Sequence, residues 1–160
     1  MTTLADRTHA GGSETALLVI GYGNELRSDD GVGPRTAEAV AEWGLPAVRT
    51  LTCHQLTPEL AVPIASAQCV VFVDAQVGGQ DAVELRELQP RERDEIMAHA
   101  ANPDLLLFLA KEIFGRSPMA FWLTIPVENL AFGEELSERA REGLESALGK
   151  IRELLSPTTK

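Results

Sequence analysis

Residues 15–21 read TALLVIG, residues 68–74 read QCVVFVD and residues 119–126 read MAFWLTIP, and these three runs decide the fold. Each is short, almost continuously apolar, and closed by glycine, aspartate or proline. That is how a strand buried on both faces looks, the usual case in a parallel sheet. Weaker strands are expected between these runs, at 47–51 and at 82–88. The second of them follows a short turn at Gly78-Gly79 and precedes Pro90, so it is expected to run antiparallel at an edge.

The intervening segments read as helices. Gly31 to Trp43 spaces Val32, Ala37, Val40 and Ala41 on one side. Thr57 has the place of an N-cap, with Pro58 at the first helical position and Glu59 in the first turn. Asn102, Pro103 and Asp104 repeat that pattern before LLLFLAKEIFG, and Ser137 with Glu138 opens a last helix reaching about Leu155. The order β-α-β-α-β-β-α-β-α predicts a three-layer α/β/α sandwich. Its sheet has about five strands, mostly parallel and twisted, with helices on both faces.

The 160 residues, 44% of them hydrophobic, suit one domain with a proper core. The boundaries expected are a flexible leader at 1–14, a single domain at 15–156 and a tail at 157–160. His9 falls in the leader and reads as a solvated histidine. Acidic residues outnumber basic ones by 24 to 14, a net charge of -10 that disfavours nucleic acid as a partner. Apolar stretches of about eight residues fall short of the roughly 20 that span a bilayer, so no membrane partner is expected. No secretory pattern opens the chain, and a cytoplasmic protein is expected. Cys53 and Cys69 are too few for a disulfide scaffold or an all-cysteine zinc site.

In such sheets ligands bind at the carboxyl ends of the strands. After the first strand comes GYGNELRSDDGVG, residues 21–33. A nucleotide site is disfavoured there: the third glycine of a G-x-G-x-x-G would fall on Leu26, and no G-K-[ST] follows. Asp29 and Asp30 stand where a phosphate would need positive potential, and they would attract a cation instead. One of the two is expected to act as an N-cap, and at least one to have a functional role. Asp74 ends an apolar strand and points at the same crevice. His99, before the cap at Asn102, completes an Asp/Asp/His set suited to zinc, nickel or a similar divalent ion. His54 beside Cys53 suggests a thiol–imidazole dyad, but neighbours in an extended chain face opposite ways. Cys69 reads as a small core residue.

The blocks GYGNELRSDDGVG, HQLTPEL, VVFVDA and HAANPDLL, in that order, resemble the nickel–iron hydrogenase maturation endopeptidases, and IPVENLAFGEELS is also family-like. The resemblance runs from about Leu17 to Leu155. It implies a twisted five-stranded sheet flanked by helices, and an endopeptidase that removes the C-terminal extension of the hydrogenase large-subunit precursor after nickel insertion. It further implies Asp30 and Asp74 as catalytic and metal-contacting residues, with His99 as the third ligand. Some members have glutamate at the position of Asp30. Gly23, Asn24, Asp29 and Gly31 are then loop-shaping residues. The metal would be nickel carried by the substrate, for which zinc or cadmium could stand in. Two other classes compete: a nickel-dependent binding protein for the large subunit that does not cut, and a peptidyl-tRNA-hydrolase-like enzyme, which the acidic charge disfavours.

Overall fold

The continuous apolar runs become the inner strands of one sheet. A computed structural model of the chain describes residues 15–78, 80–89 and 102–156. The leader at 1–14, the tail at 157–160 and His99 lie outside the described residues. The strands are β1 (Thr15–Tyr22), β2 (Val48–Cys53), β3 (Ala67–Val77), β4 (Glu84–Leu88) and β5 (Met119–Val127). They lie in the order β2-β1-β3-β5-β4, all pairs parallel except the antiparallel β4–β5. β4 is therefore an antiparallel edge strand, as its sequence implied. Its partner is β5 rather than the preceding β3, because β5 occupies the place beside β3, with Asp74 opposite Thr124.

The helices are α1 (Val32–Ala41), α2 (Ala61–Ala65), α3 (Pro103–Phe114) and α4 (Glu138–Leu155). Strand alternation sends Val19, Val71, Leu123 and Ile125 to one face, where they pack with Val32 and Val40 of α1 and Ala140 and Ile151 of α4. Leu18, Ile20 and Phe72 go to the other face, against Ile64 of α2 and Leu106 and Leu107 of α3. Each fully buried side chain of this size contributes roughly 1.5–3 kcal/mol, and both faces are covered. That coverage is why β1 and β3 read as unbroken apolar runs. Cys69 is fully buried among them.

Of the caps expected at Thr57, Asn102 and Ser137, the last two form through their side chains. Asn102 accepts from the Leu105 N–H at 3.0 Å, and the Ser137 hydroxyl accepts from the Ala140 N–H at 3.1 Å. Gly115, at φ 73°, ends α3 in the left-handed conformation that glycine tolerates best. Thr57 does not cap by its side chain. The chain there turns through a 3-10 segment at Pro58–Leu60 before α2, which is only five residues long. Among the described residues no helix is long and apolar enough to cross a membrane.

α1 lies close against the sheet at glycines. A methyl group on Gly21 would collide with the Gly33 carbonyl, and one on Gly33 would stand 2.6 Å from both the Tyr22 and Val73 carbonyl oxygens. These are backbone atoms of the two central strands and cannot yield singly. Gly33→Ala is expected to destabilise the protein by about 2–4 kcal/mol, read as a lower urea midpoint with unchanged slope. A wild-type midpoint would show that α1 can lift off the sheet without cost.

Candidate active site

The parallel strands β1 and β3 end side by side, so the loop after β1 and the last residues of β3 meet at one rim. Gly23 turns the chain at φ 147°, a conformation rare for other residues, and a methyl group there would strike the Asp30 carbonyl. The Asn24 side chain accepts from the Leu26 N–H at 2.9 Å, closing a tight Asx turn. Asp30 reaches back and accepts from the Asn24 N–H at 2.7 Å. Gly31 stands at the N-cap of α1, packed 3.0 Å from the Glu25 backbone when a Cβ is placed on it. Gly23, Asn24 and Gly31 thus all shape this turn.

The two aspartates differ completely. Asp29 is fully buried. Its carboxylate accepts from the backbone N–H groups of Glu128 (3.1 Å), Asn129 (3.0 Å) and Ser137 (2.7 Å), and from the Ser137 hydroxyl (2.7 Å). Burial alone would raise its pKa, but these donors outweigh burial and hold it below the ordinary value. It neither faces the crevice nor caps α1, which corrects the expectation that it points there and that one of the pair is an N-cap. No side chain caps α1 or the 3-10 segment Ser28–Gly31 before it. Asp29 instead fastens the segment between β5 and α4 to the first loop, a loop-shaping role.

Asp30 is half-buried at the rim, and Asp74 lies within electrostatic reach of it. Burial pushes the Asp74 carboxyl up to about 6, and the Asp30 charge adds to the rise; the Tyr22 hydroxyl and the Ala75 N–H, both donating to it, oppose it. Tyr22 is itself pushed upward, by burial first and then by the Asp74 charge. The Trp122 indole N–H lies near the Tyr22 oxygen but outside good hydrogen-bond geometry, and is buried with no partner among the described residues.

Tyr22 is a site residue that motif reading missed. The signal was available: alternation along β1 puts residue 22 on the face of Leu18 and Ile20, at the strand's carboxyl end. The same alternation brings Thr124 opposite Asp74. Beside them opens a cavity of about 300 Å³ lined by Gln76, Gln80, Glu84, Arg86, Trp122 and Thr124. Arg86 lies 5.2 Å over the Trp122 ring. On the other side of the turn a second cleft, about 260 Å³, runs from Gly23 and Asn24 to Cys53 and the exposed His54. Cys53 has its thiol pKa raised by burial, the wrong direction for a nucleophile.

Among the described residues no three His, Cys, Asp or Glu side chains cluster closely enough to hold a metal. The structure brings together Asp30 and Asp74 of the expected set. His99, expected as the third ligand, lies outside the described residues.

No family model and no curated protein matches the sequence. Solved structures do. The NiFe hydrogenase maturation protease HycI from Thermococcus kodakarensis KOD1 aligns at TM-score 0.69 and 26% identity, over 90% of this chain and 94% of that one. An uncharacterized protein from Wolinella succinogenes aligns at TM-score 0.62 and 29% identity, over 88% and 96%. The hydrogenase maturating endopeptidase HybD from E. coli, at 21% identity and TM-score 0.62 over 84% and 88%, shares the fold.

Fold and similarity together define a hydrolase built on a three-layer α/β/α sandwich. More narrowly, the chain is similar over most of its length to the hydrogenase maturation proteases, and the resemblance carried by its sequence motifs is borne out.

Proposed function

We propose that this endopeptidase removes the C-terminal extension of a nickel–iron hydrogenase large-subunit precursor, in the cytoplasm, after nickel has been inserted. The observation that supports this reading best is the Asp30–Asp74 pair at the junction of β1 and β3. Two carboxylates, one held up near 6 by burial, make a rim that favours a cation and is costly without one. Two aspartates and the imidazole of His99 form an incomplete, oxygen-leaning ligand set, without the fourth protein ligand of a closed structural zinc site. Such a set binds free ions weakly and grips a nickel already held by the precursor. Zinc or cadmium can stand in for that ion. The substrate therefore presents the metal that licenses its own cleavage.

Metal-stripped enzyme incubated with nickel-loaded and nickel-free precursor, followed by intact mass of the large subunit, tests this. Trimming of the loaded precursor alone is expected. Equal trimming of both would make it an ordinary peptidase, and nickel-dependent binding without trimming would make it a chaperone.

A further inference from the structure

The segment between β5 and α4 combines two properties that seldom coincide. It is tightly fastened, and it exposes a large aromatic side chain. Phe132 is 87% exposed, the most exposed large hydrophobic among the described residues, and Leu26 of the first loop is 52% exposed. The fastening is extensive. Ser28 donates its N–H to the Gly133 carbonyl (2.8 Å) and its hydroxyl to the Ala131 carbonyl (2.7 Å), while Gly133 donates to the Leu26 carbonyl (2.8 Å). Arg27 donates to the Leu130 carbonyl and Arg35 to the Glu134 carbonyl. Beneath them, Asp29 takes its four hydrogen bonds from Glu128, Asn129 and Ser137.

A floppy loop can shed an exposed phenyl ring into whatever cover is near. This one cannot, because its backbone is bound on both sides of residue 132. Rigid presentation lowers the ordering cost of association, so such a residue suits an interface anchor. Its place is also informative. Leu26 and Phe132 come together through the Gly133 bridge on the rim that carries Asn24 and Asp30. In these two loops Glu25, Glu128, Glu134 and Glu135 are all exposed, four acidic groups against two cations, Arg27 and Arg35, each of which donates to a loop carbonyl. An apolar knob on net acidic loops is repelled by an anionic lipid surface. It fits a folded protein that offers an apolar pocket edged by lysine or arginine.

We propose that Phe132, supported by Leu26, is the anchor by which the enzyme docks the folded large-subunit precursor, inserting into a basic-edged apolar pocket next to the nickel-bearing segment. The assignment rests on the function proposed above. It adds a specificity contact on the protein body, separate from the carboxylates that meet the metal.

The test is steady-state processing of nickel-loaded precursor by the full-length chain, with Phe132→Ala, Phe132→Leu and the control Ile113→Ala, whose side chain on α3 is also well exposed at 63%. Phe132→Ala is expected to raise KM roughly 10-fold or more, the size of a hot-spot truncation, with kcat and melting temperature unchanged. Phe132→Leu should recover much of the loss, and Ile113→Ala should do nothing. An unchanged KM in Phe132→Ala, or an equal rise in Ile113→Ala, overturns the docking assignment while leaving the protease reading intact. If the wild-type chain trims no precursor with or without nickel, the proposed function falls and the docking assignment falls with it.

Discussion

Asp74→Asn will abolish processing and, at neutral pH, make the protein more stable. The two effects have one cause. The folded protein holds the Asp74 carboxyl at about 6, mainly through burial, against an ordinary value near 3.9. A carboxylate raised in this way carries no penalty below pH 4, where it is protonated folded or unfolded. The penalty grows as pH rises from about 4 to 6, and it is complete above 6, where the buried group is charged. The difference of about two pKa units corresponds to roughly 2–3 kcal/mol of folding free energy forgone at pH 7. Asparagine keeps the shape, keeps an oxygen for the Tyr22 hydroxyl and removes the charge. Its melting temperature should exceed that of wild type at pH 7, and the two should converge at pH 4. Processing of nickel-loaded precursor should fall at least about 100-fold, as for loss of a group that acts on the reacting centre. In the wild type, activity should decline as pH drops through about 6. A variant that trims at the wild-type rate would reduce Asp74 to a strand-end residue with an unusual titration.

The architecture was legible because each element was locally consistent with it. TALLVIG and QCVVFVD could be unbroken apolar runs only if helices covered both faces, and α1 with α4 and α2 with α3 do so. Asn102 and Ser137 announced their helices because side-chain oxygens accept backbone N–H groups at N-caps. Thr57 carried the same signal and does hold the N-cap position, with Pro58 first and Glu59 in the first turn, but it opens a 3-10 segment before the short α2 and makes no side-chain cap bond. The partner of β4 was not legible. Sequence neighbours suggest local pairing, and only the crossover through α3 brings β5 between β3 and β4.

Within the site, Asp30 and Asp74 could be read because position at a strand's carboxyl end places a residue without knowing its side-chain partners. The division of labour between Asp29 and Asp30 could not. It is fixed by contacts about a hundred residues away in the chain, with Glu128, Asn129 and Ser137, which no local pattern contains. Tyr22 was hidden for a different reason. It looked like one more letter of a glycine turn, although strand parity alone puts it on the face of Asp74.

Asp29→Asn is expected to have the opposite outcome to Asp74→Asn, a destabilisation of about 3 kcal/mol, although the two changes are chemically identical. One Asp29 oxygen accepts from Glu128, Asn129 and the Ser137 hydroxyl, and the other accepts from the Ser137 N–H. An asparagine has one acceptor oxygen. Whichever way its amide is turned, an NH₂ group meets at least one buried N–H, and the charge that strengthens the remaining bonds is gone. The pH dependence also reverses. Asp29 is held below its ordinary value, so its contribution is fully present above about pH 4 and is lost as pH falls through the depressed value. The wild type should therefore lose its advantage over Asp29→Asn only under strongly acid conditions, whereas its deficit against Asp74→Asn disappears already by pH 4. Hydrogen exchange should locate the damage in residues 128–137 and the first turn of α4, where Ser137 both donates to Asp29 and caps Ala140. With the support beneath the Phe132 segment loosened, the variant's KM for folded precursor should rise even under conditions where it remains folded. Wild-type stability together with wild-type exchange at 128–137 would mean that the loop is secured by the Ser28 and Gly133 backbone bonds alone.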